Sequence, residues 1–190
     1  MAEPTDELVA VDATPSGDVA ETGPQPPEPR WLNCDERVLW MRLQAVAEYI
    51  PAAVDAQLRA SAGLTRYDYY VLAMLSESPG RARLMSDLAA VTNGSLSRLS
   101  HAAAKLEEGG LISRSPVEAD RRATLATLTD AGWQKLVDTA PGHVAEVRAI
   151  VFDNLTSDQV SALNAALVPV IQGLGLPCET FEIEGDELVS

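Results

Sequence analysis

Cysteine and histidine are scarce in this chain, and their scarcity excludes several classes of protein. Among 190 residues there are two cysteines and two histidines: Cys34, Cys178, His101 and His143. Two cysteines near opposite ends of the folded part cannot form a disulfide framework, and these few side chains do not have the spacing of a metal site. We therefore expect no metal and no cofactor, and a reducing cytoplasm is the simplest location.

Long apolar runs are also missing. No stretch approaches the roughly 18 apolar residues that a membrane span needs, although 46% of the chain is hydrophobic. The first seven residues, 1–7, are acidic and lack an apolar centre, so they do not predict a secretory signal. The length and composition are typical of a soluble globular domain with one hydrophobic core, and no membrane contact is expected.

Basic residues are few: 14 against 28 acidic residues, for a net charge of −14. Such a balance argues against a nucleic-acid partner, because phosphate contacts need lysine and arginine. The distribution of the charge changes that conclusion. Residues 1–30 hold seven acidic and one basic residue, and residues 179–190 hold five acidic and no basic residue. Tail charge more than about 8 Å away is largely screened at physiological salt.

Catalytic motifs are absent as well. The sequence contains no His-Glu-x-x-His pair, no glycine-rich phosphate loop and no Gly-x-Ser-x-Gly elbow, which are the short patterns that carry common enzyme chemistries. We therefore expect that the protein is not an enzyme.

The ends of the chain differ in composition from its middle. Residues 1–33 are acidic and proline-rich and cannot bury enough apolar surface to fold, so we expect a disordered tail there. Residues 178–190 predict a second acidic tail. Between them, residues 34–177 predict one domain.

The centre of that domain has the pattern of a winged helix-turn-helix, within a lobe at about residues 64–129. Two helical runs, 85–92 and 95–108, are separated by Asn93-Gly94, and Gly109-Gly110 ends the second run. A strand, a basic loop at 116–121 and a second strand follow, and Thr129 caps the next helix. Thr65 with Asp68, as a partial capping box, and Thr156 with Gln159 predict two further helix starts. The expected fold is mainly α with a small β-hairpin (α+β).

Long amphipathic helices flank this lobe. Residues 35–60 and 130–175 carry apolar side chains at spacings of three and four, with a predicted kink or break at Pro51 and another at Pro141-Gly142. These helices have more apolar surface than a small winged core can cover. Packed across a two-fold axis they would form a dimer interface. Packing within one chain is the alternative.

A helix that reads DNA needs polar side chains at its N-terminal end on one exposed face. The second helix of the motif offers Ser95, Ser97, Arg98 and His101 there. Arg98 is suited to a guanine edge or a phosphate. Ser95 has helix capping as an alternative role, and His101 has simple solvation. The residues expected to face the core are Leu96, Leu99, Ala103 and Leu106.

The predicted hairpin is basic. Arg114 lies in the first strand, and Asp120-Arg121-Arg122 lies in the loop before the second strand. Adjacent arginines at a hairpin tip can enter a narrow minor groove, and Asp120 could hold one guanidinium by a bidentate pair. The alternative is an exposed salt bridge of about 0–1 kcal/mol.

At these residues the chain resembles the multiple-antibiotic-resistance regulator (MarR) family of bacterial transcription factors, over residues 35–175. The motifs that carry the resemblance are Gly63-Leu64-Thr65, Met85-Ser86-Asp87-Leu88-Ala89, residues 106–114, Asp120-Arg121-Arg122 and Leu128-Thr129-Asp130-Ala131-Gly132. The run from the wing tip to the start of the next helix is the most specific.

The resemblance implies a cytoplasmic homodimeric repressor that binds a palindromic operator in double-stranded DNA. It implies recognition helices in successive major grooves and wings in the flanking minor grooves, with release by a small phenolic or aromatic acid. Ser95, Ser97, Arg98 and His101 match the family's base-reading face, and the wing is matched by Arg121 and Arg122.

The effector site is less sharply indicated. The candidate lining residues for an aromatic ligand are Trp40, Tyr67, Tyr70 and His143; their alternative role is core packing. Two other functions stay open. Cys34 near the first helix could sense oxidants, although Asp35 and Glu36 oppose its thiolate. The winged helix could also serve protein contact without DNA, although its three nearby arginines favour DNA.

Overall fold

The structure, a computed structural model, describes residues 29–92, 94–117 and 120–175. This part of the chain contains six α-helices and three β-strands: α1 Cys34–Ala62, α2 Arg66–Ser76, β1 Ala82–Leu84, α3 Met85–Val91, α4 Leu96–Glu108, β2 Ile112–Val117, β3 Asp120–Leu128, α5 Asp130–Ile150 and α6 Ser157–Gly173. The mainly helical winged helix-turn-helix prediction is confirmed. The predicted tails lie outside the described residues except for 29–33, which precede α1 without regular structure.

Helix α1 is longer and more continuous than predicted. Asn33 and Glu36 cap its start reciprocally: Asn33 N–H donates to Glu36 Oε2 (2.8 Å) and Glu36 N–H donates to Asn33 Oδ1 (2.9 Å). Pro51 lies inside the helix and does not end it. Proline removes one backbone hydrogen bond, but burial of Val54 and Leu58 holds the following turns in place.

Helix α2 lies at the centre of the core. The predicted capping box is confirmed, because the Thr65 hydroxyl accepts the Asp68 N–H and the Asp68 carboxylate accepts the Thr65 N–H, both at 2.9 Å. Buried side chains from α2, α3, α4, the sheet and α5 meet in one cluster: Leu64, Tyr67, Val71, Leu72, Leu75, Met85, Leu88, Ala89, Leu99, Ala102, Ala103, Leu106, Ile112, Ala126, Leu128 and Leu136.

The sheet is antiparallel with the strand order β1-β3-β2. The three-residue strand β1 was not predicted; it pairs Leu84 with Leu125 of β3 and is too short for an alternation pattern. The β2–β3 ladder extends to the pair Val117–Asp120, with an irregularity at Pro116. Asp120-Arg121-Arg122 therefore begins a strand, and its placement in a loop was wrong. Pro116 suggested a loop, but proline is tolerated on an edge strand.

A tight corner joins α4, β2 and α5. Gly110 has a φ of +70°, a conformation that favours glycine. The Thr129 hydroxyl lies 2.7 Å from Gly110 O and 3.0 Å from Leu111 O, and it accepts the Gly132 N–H (3.0 Å) as the predicted cap of α5. Leu111 O lies directly against Gly132. The end of α4 and the start of α5 are thus fixed at one point.

The C-terminal helices, like α1, carry exposed apolar side chains. Helix α5 continues through Pro141 and Gly142 to Ile150, so the predicted break into two helices was wrong, while a kink there stays a prediction. Leu136 and Thr139 are buried on the preceding turns. The Thr156–Gln159 capping box of α6 is confirmed. None of the residues of α6 is buried, and its large exposed apolar side chains are Leu163, Val168 and Val170, followed by the exposed Leu174 directly after the helix. No helix in the described ranges is long and apolar enough to cross a membrane.

Candidate nucleic-acid interface

The start of α4 is fixed by a cap. Helix α3 ends before Thr92, and the Ser95 hydroxyl accepts the Arg98 N–H at 3.2 Å. Ser95 thus has the capping role that the sequence left open. Capping leaves the other amides of the first turn pointing out of the helix end, where they can meet a phosphate.

One face of α4 is exposed along its first two turns. Ser97, Arg98 and His101 lie on it, as predicted. Leu99, Ala103 and Leu106 are buried as predicted, but Leu96 is 56% exposed and its assignment to the core was wrong. Leu96 is the first residue of the helix, and the core begins one turn later at Leu99.

The wing places a basic side chain at the same end of the molecule. Arg122 is exposed, and its backbone N–H donates to Asp120 Oδ1 at 2.9 Å. Asp120 therefore holds the main chain at Arg122, and the predicted pair between Asp120 and a guanidinium stays a prediction. Arg121 is the second residue of β3, and its side chain is outside the described part of the structure.

A shallow cavity of about 370 Å³ separates α4 from the wing. Leu96 and Ser100 border it from α4, and Asp120, Arg122 and Thr124 border it from β3. One surface therefore carries both the exposed helix face and the wing. Sequence reasoning missed Ser100 and Leu96 there; the helical spacing of Ser97 and Ser100, three residues apart, could have indicated the first.

Arg114 is engaged within the protein. Its backbone N–H donates to Glu107 Oε1 (2.9 Å), and its guanidinium donates to Glu107 Oε2 through Nε (3.0 Å) and Nη2 (2.6 Å). The guanidinium hydrogen bonds, with the backbone bond and the charge of Arg114, hold the pKa of Glu107 below its ordinary value. The pair ties the last turn of α4 to β2, so Arg114 is already occupied where we predicted a DNA contact.

Removing the partner of Arg114 should make that arginine available to phosphates. We expect Glu107→Gln to steepen the slope of log K against log salt concentration by about 0.9 per subunit. Glu108→Gln is the matched control, because Glu108 is an exposed neighbour whose loss changes the charge equally without freeing Arg114. Equal slopes for the two variants, measured by fluorescence anisotropy with a DNA duplex, would contradict this account of the pair.

A larger cavity of about 590 Å³ lies between α1, α2 and α4. Its charged and aromatic lining residues are Asp55, Arg59, Arg66, Tyr67, Asp68, Arg98, His101 and Lys105. Two ion pairs reach into this set, Arg59–Asp55 at 2.6 Å and Lys105–Asp68 at 2.7 Å. The hydrogen bond from Arg59, followed by one from the Arg66 backbone, lowers the pKa of Asp55.

Two of the predicted base-reading residues border this larger cavity. Arg98 and His101 line it from α4, and the Arg98 guanidinium lies 4.1 Å from the centroid of the Tyr67 ring, a cation–π distance. The same stretch of α4 thus faces a cavity on one side and carries the exposed serine face on the other.

The predicted effector residues are not brought together. Of the four, only Tyr67 is among the described residues that line the larger cavity. The Tyr70 hydroxyl donates to Val91 O at 3.1 Å, and Trp40 is 54% exposed on α1.

The fourth of those residues, His143, is packed against another ring. Its ring centroid lies 4.6 Å from that of Tyr69, with the two ring planes tilted. Its Nδ1 is buried without a hydrogen-bond partner among the described residues. Burial lowers the pKa of His143. The imidazole is therefore held toward its neutral form, which suits a packing role better than contact with an acid.

The remaining candidate sites are the two cysteines and possible clusters of metal ligands. Cys34 is exposed at the first position of α1, and Cys178 lies outside the described residues. Within the described ranges, His, Cys, Asp and Glu side chains form no group of three that could hold a metal ion.

Comparison with known proteins identifies relatives of this architecture. Residues 62–123 match the sequence model of the MarR family. AbsC, a MarR family transcriptional regulator from Streptomyces coelicolor, is 37% identical; the match covers 77% of this chain and 99% of AbsC, with a TM-score of 0.72. No functionally curated protein gave a significant match.

Two further structures are informative. Sco3205, a MarR family regulator from Streptomyces coelicolor solved in complex with DNA, is 40% identical, with 81% of this chain and 96% of Sco3205 covered and a TM-score of 0.74. CouR from Rhodococcus jostii RHA1, solved with p-coumaroyl-CoA, is 22% identical, with 78% and 95% covered and a TM-score of 0.60. At this identity, the likeness to CouR shows a shared fold.

Proposed function

Because the chain belongs to the MarR family of transcriptional regulators, we propose that it is a homodimeric repressor of transcription. In this proposal it binds a palindromic operator in double-stranded DNA, and a small aromatic acid releases it. The protein acts in the cytoplasm, where bacterial DNA is found. The expectation that it is not an enzyme stays a prediction.

The observation that carries the proposal is the shared surface of α4 and the wing. Leu96 and Ser100 of α4 face Arg122 of β3 across one shallow cavity, and Ser97 lies exposed on the same helix. A helix for the major groove beside a basic wing is the arrangement that winged helices use on DNA. The DNA complex of Sco3205, a 40% identical relative, supports it.

The apolar surface of α6 supports the homodimer. A helix with no buried residue and three large exposed apolar side chains, with exposed Leu174 directly after it, is costly to leave in water. A second copy would cover it and would also present a second α4. Two recognition helices about 34 Å apart match half-sites one helical turn apart, which is why the operator is expected to be palindromic.

The larger cavity supports the effector. It is lined by more basic than acidic side chains, which favours a carboxylate ligand. Tyr67 offers a ring face for an aromatic group, and an acid bound there would compete for the Arg98 guanidinium, 4.1 Å from that ring. CouR was solved with an aromatic ligand, so this fold is able to bind one. Sensing through Cys34 and protein contact without DNA stay alternatives.

The DNA proposal is tested by selection from random duplexes with the purified full chain. We expect one palindromic sequence to emerge, bound as two chains per duplex, with affinity that falls about 10³-fold or more between 50 and 200 mM salt for six or more phosphate contacts. Failure to enrich any sequence would contradict the DNA-binding proposal. Enrichment with one chain per duplex would contradict only the homodimer.

The effector proposal is tested on the selected duplex. Benzoate, 4-hydroxybenzoate and 4-coumarate are added to the preformed complex, and we expect at least one to release the DNA. The non-acidic analogue benzamide is the control for each. Release by benzamide as effective as by the acids would contradict a site that binds through arginine and lysine.

A further inference from the structure

Tyr67 contacts the turn between α3 and α4 at Thr92 and Gly94. It projects from α2 and is 8% exposed. Its hydroxyl lies 3.0 Å from Thr92 Oγ1, at the end of α3, and its ring carries the Arg98 guanidinium at 4.1 Å. One side chain from the core thus meets the residue that follows the first helix and a basic residue of the second.

The direction of the Tyr67 hydrogen bond follows from its surroundings. The Thr92 hydroxyl lies 2.7 Å from Leu88 O, a carbonyl that can only accept. Thr92 has one hydroxyl proton, and it is used there. Tyr67 is therefore the donor to Thr92 Oγ1. This bond is buried. Loss of the Thr92 hydroxyl removes the acceptor of the Tyr67 O–H, and loss of the Tyr67 hydroxyl leaves Thr92 Oγ1 bonded only to backbone carbonyls of α3.

Gly94 shows how closely Tyr67 supports the turn. A Cβ placed on Gly94 would clash with Tyr67 Oη and approach Tyr67 Cζ to 3.0 Å. The Gly94 backbone therefore packs directly against the phenol group of Tyr67. The Gly94 N–H donates to Ala89 O at 3.0 Å, so the chain leaves α3 and passes over the phenol directly before the Ser95 cap of α4.

We propose that Tyr67 is the positioning residue for the DNA-reading end of α4. Its hydroxyl sets the α3–α4 turn through Thr92 and Gly94, and its ring sets the direction of Arg98. The inference rests on the proposed DNA binding for its effect on recognition, but the support of the turn does not. A long arginine side chain loses less freedom on binding a base when its direction is already set.

The test uses the full-length protein and two tyrosines of α2. Tyr67→Phe removes the hydroxyl and keeps the ring. Tyr70→Phe is the matched control, because the Tyr70 hydroxyl also bonds to the end of α3, at Val91 O, whereas Arg98 and Gly94 pack on Tyr67. We expect Tyr67→Phe to raise hydrogen exchange at the Gly94 amide about five-fold, as for one lost buried hydrogen bond. Tyr70→Phe should leave that exchange unchanged.

The recognition effect is read from base preference, which a general loss of stability would not alter. Tyr67→Leu and Arg98→Ala should each lower the preference at the same operator base pair by about ten-fold, and the double variant should lose no more. Affinity for a scrambled duplex should stay within two-fold for Tyr67→Phe. Should Tyr67→Leu fail to fold, as judged by circular dichroism, Tyr67→Met replaces it in the same cycle, because it also removes the ring.

Several results would overturn the inference. Equal exchange at Gly94 in Tyr67→Phe and Tyr70→Phe would remove the special role of the Tyr67 hydroxyl. If Tyr67→Leu and Arg98→Ala lower the base preference additively and at different base pairs, the Tyr67 ring does not act through Arg98. If the wild-type protein selects no duplex, the DNA proposal fails by itself, while exchange at Gly94 still decides whether Tyr67 supports the turn.

Discussion

Gly132→Ala is expected to destabilise the protein by about 2 kcal/mol. A Cβ at this position would overlap Leu111 O and come within 2.7 Å of Leu128 Cδ1. Overpacking of this kind costs about 3 kcal/mol, and alanine returns about 1 kcal/mol as the better helix former. Because Leu111 O belongs to the backbone of the α4–β2–α5 corner, it cannot move without shifting a whole element.

Thermal unfolding followed by circular dichroism measures this effect. A loss of about 2 kcal/mol corresponds to a fall in Tm of about 4–8 °C for a chain of this size. Gly142→Ala is the control in the same helix, since its Cβ would meet only Gln57 Nε2 at 3.4 Å, the end of a side chain. We expect that control to be neutral or to stabilise by up to about 1 kcal/mol. Equal Tm values for the two variants would show that the α4–β2–α5 corner can shift to accommodate the added Cβ.

The second large effect is expected at the wing. Replacing Arg121 and Arg122 together by alanine should lower operator affinity about 100-fold at 150 mM salt and flatten the salt slope by up to about 3.6 for the four arginines of a homodimer. Arg122 is exposed beside the face of α4, so a duplex on that face lies within its reach. Unchanged operator affinity would end the assignment of the wing to DNA.

A lysine pair separates charge from shape at the wing. Arg121→Lys with Arg122→Lys keeps both charges but loses the planar guanidinium that narrow minor grooves attract. We expect this lysine variant to keep the salt slope of the wild-type protein but to show a weaker preference for A·T pairs in the flanks of the operator. A lysine variant equal to wild type on every flank would mean that the wing supplies charge alone.

Local patterns explain what the sequence predicted well. The Thr65–Asp68 and Thr156–Gln159 capping boxes are confirmed because their partners lie three residues apart, a spacing that only a helix start brings together. The same holds for Thr129 at the start of α5. Helix starts and the strand after Gly110 are set by such short-range chemistry, whereas the α3–α4 turn also depends on the distant Tyr67.

Contacts between distant residues explain what the sequence could not predict. Arg98 and Tyr67 are 31 positions apart, and their stacking depends on the packing of α4 on α2. Glu107 and Arg114 meet only because the chain turns at Gly110. Propensity also failed where packing outweighed it, since Pro51 and Pro141 stay inside continuous helices. Leu96 was misplaced because periodicity does not reveal where the core ends.

The two-sided placement of Arg98 has a consequence for how such a regulator can diverge. The residue borders the larger cavity and lies on the exposed end of α4. Under the proposed function, a substitution there that changes the effector would also change the operator preference. Paralogues that arise by gene duplication would have to change both properties together. A biosensor engineer would retain Arg98 and vary Arg59 and Arg66, which border the same cavity from outside α4.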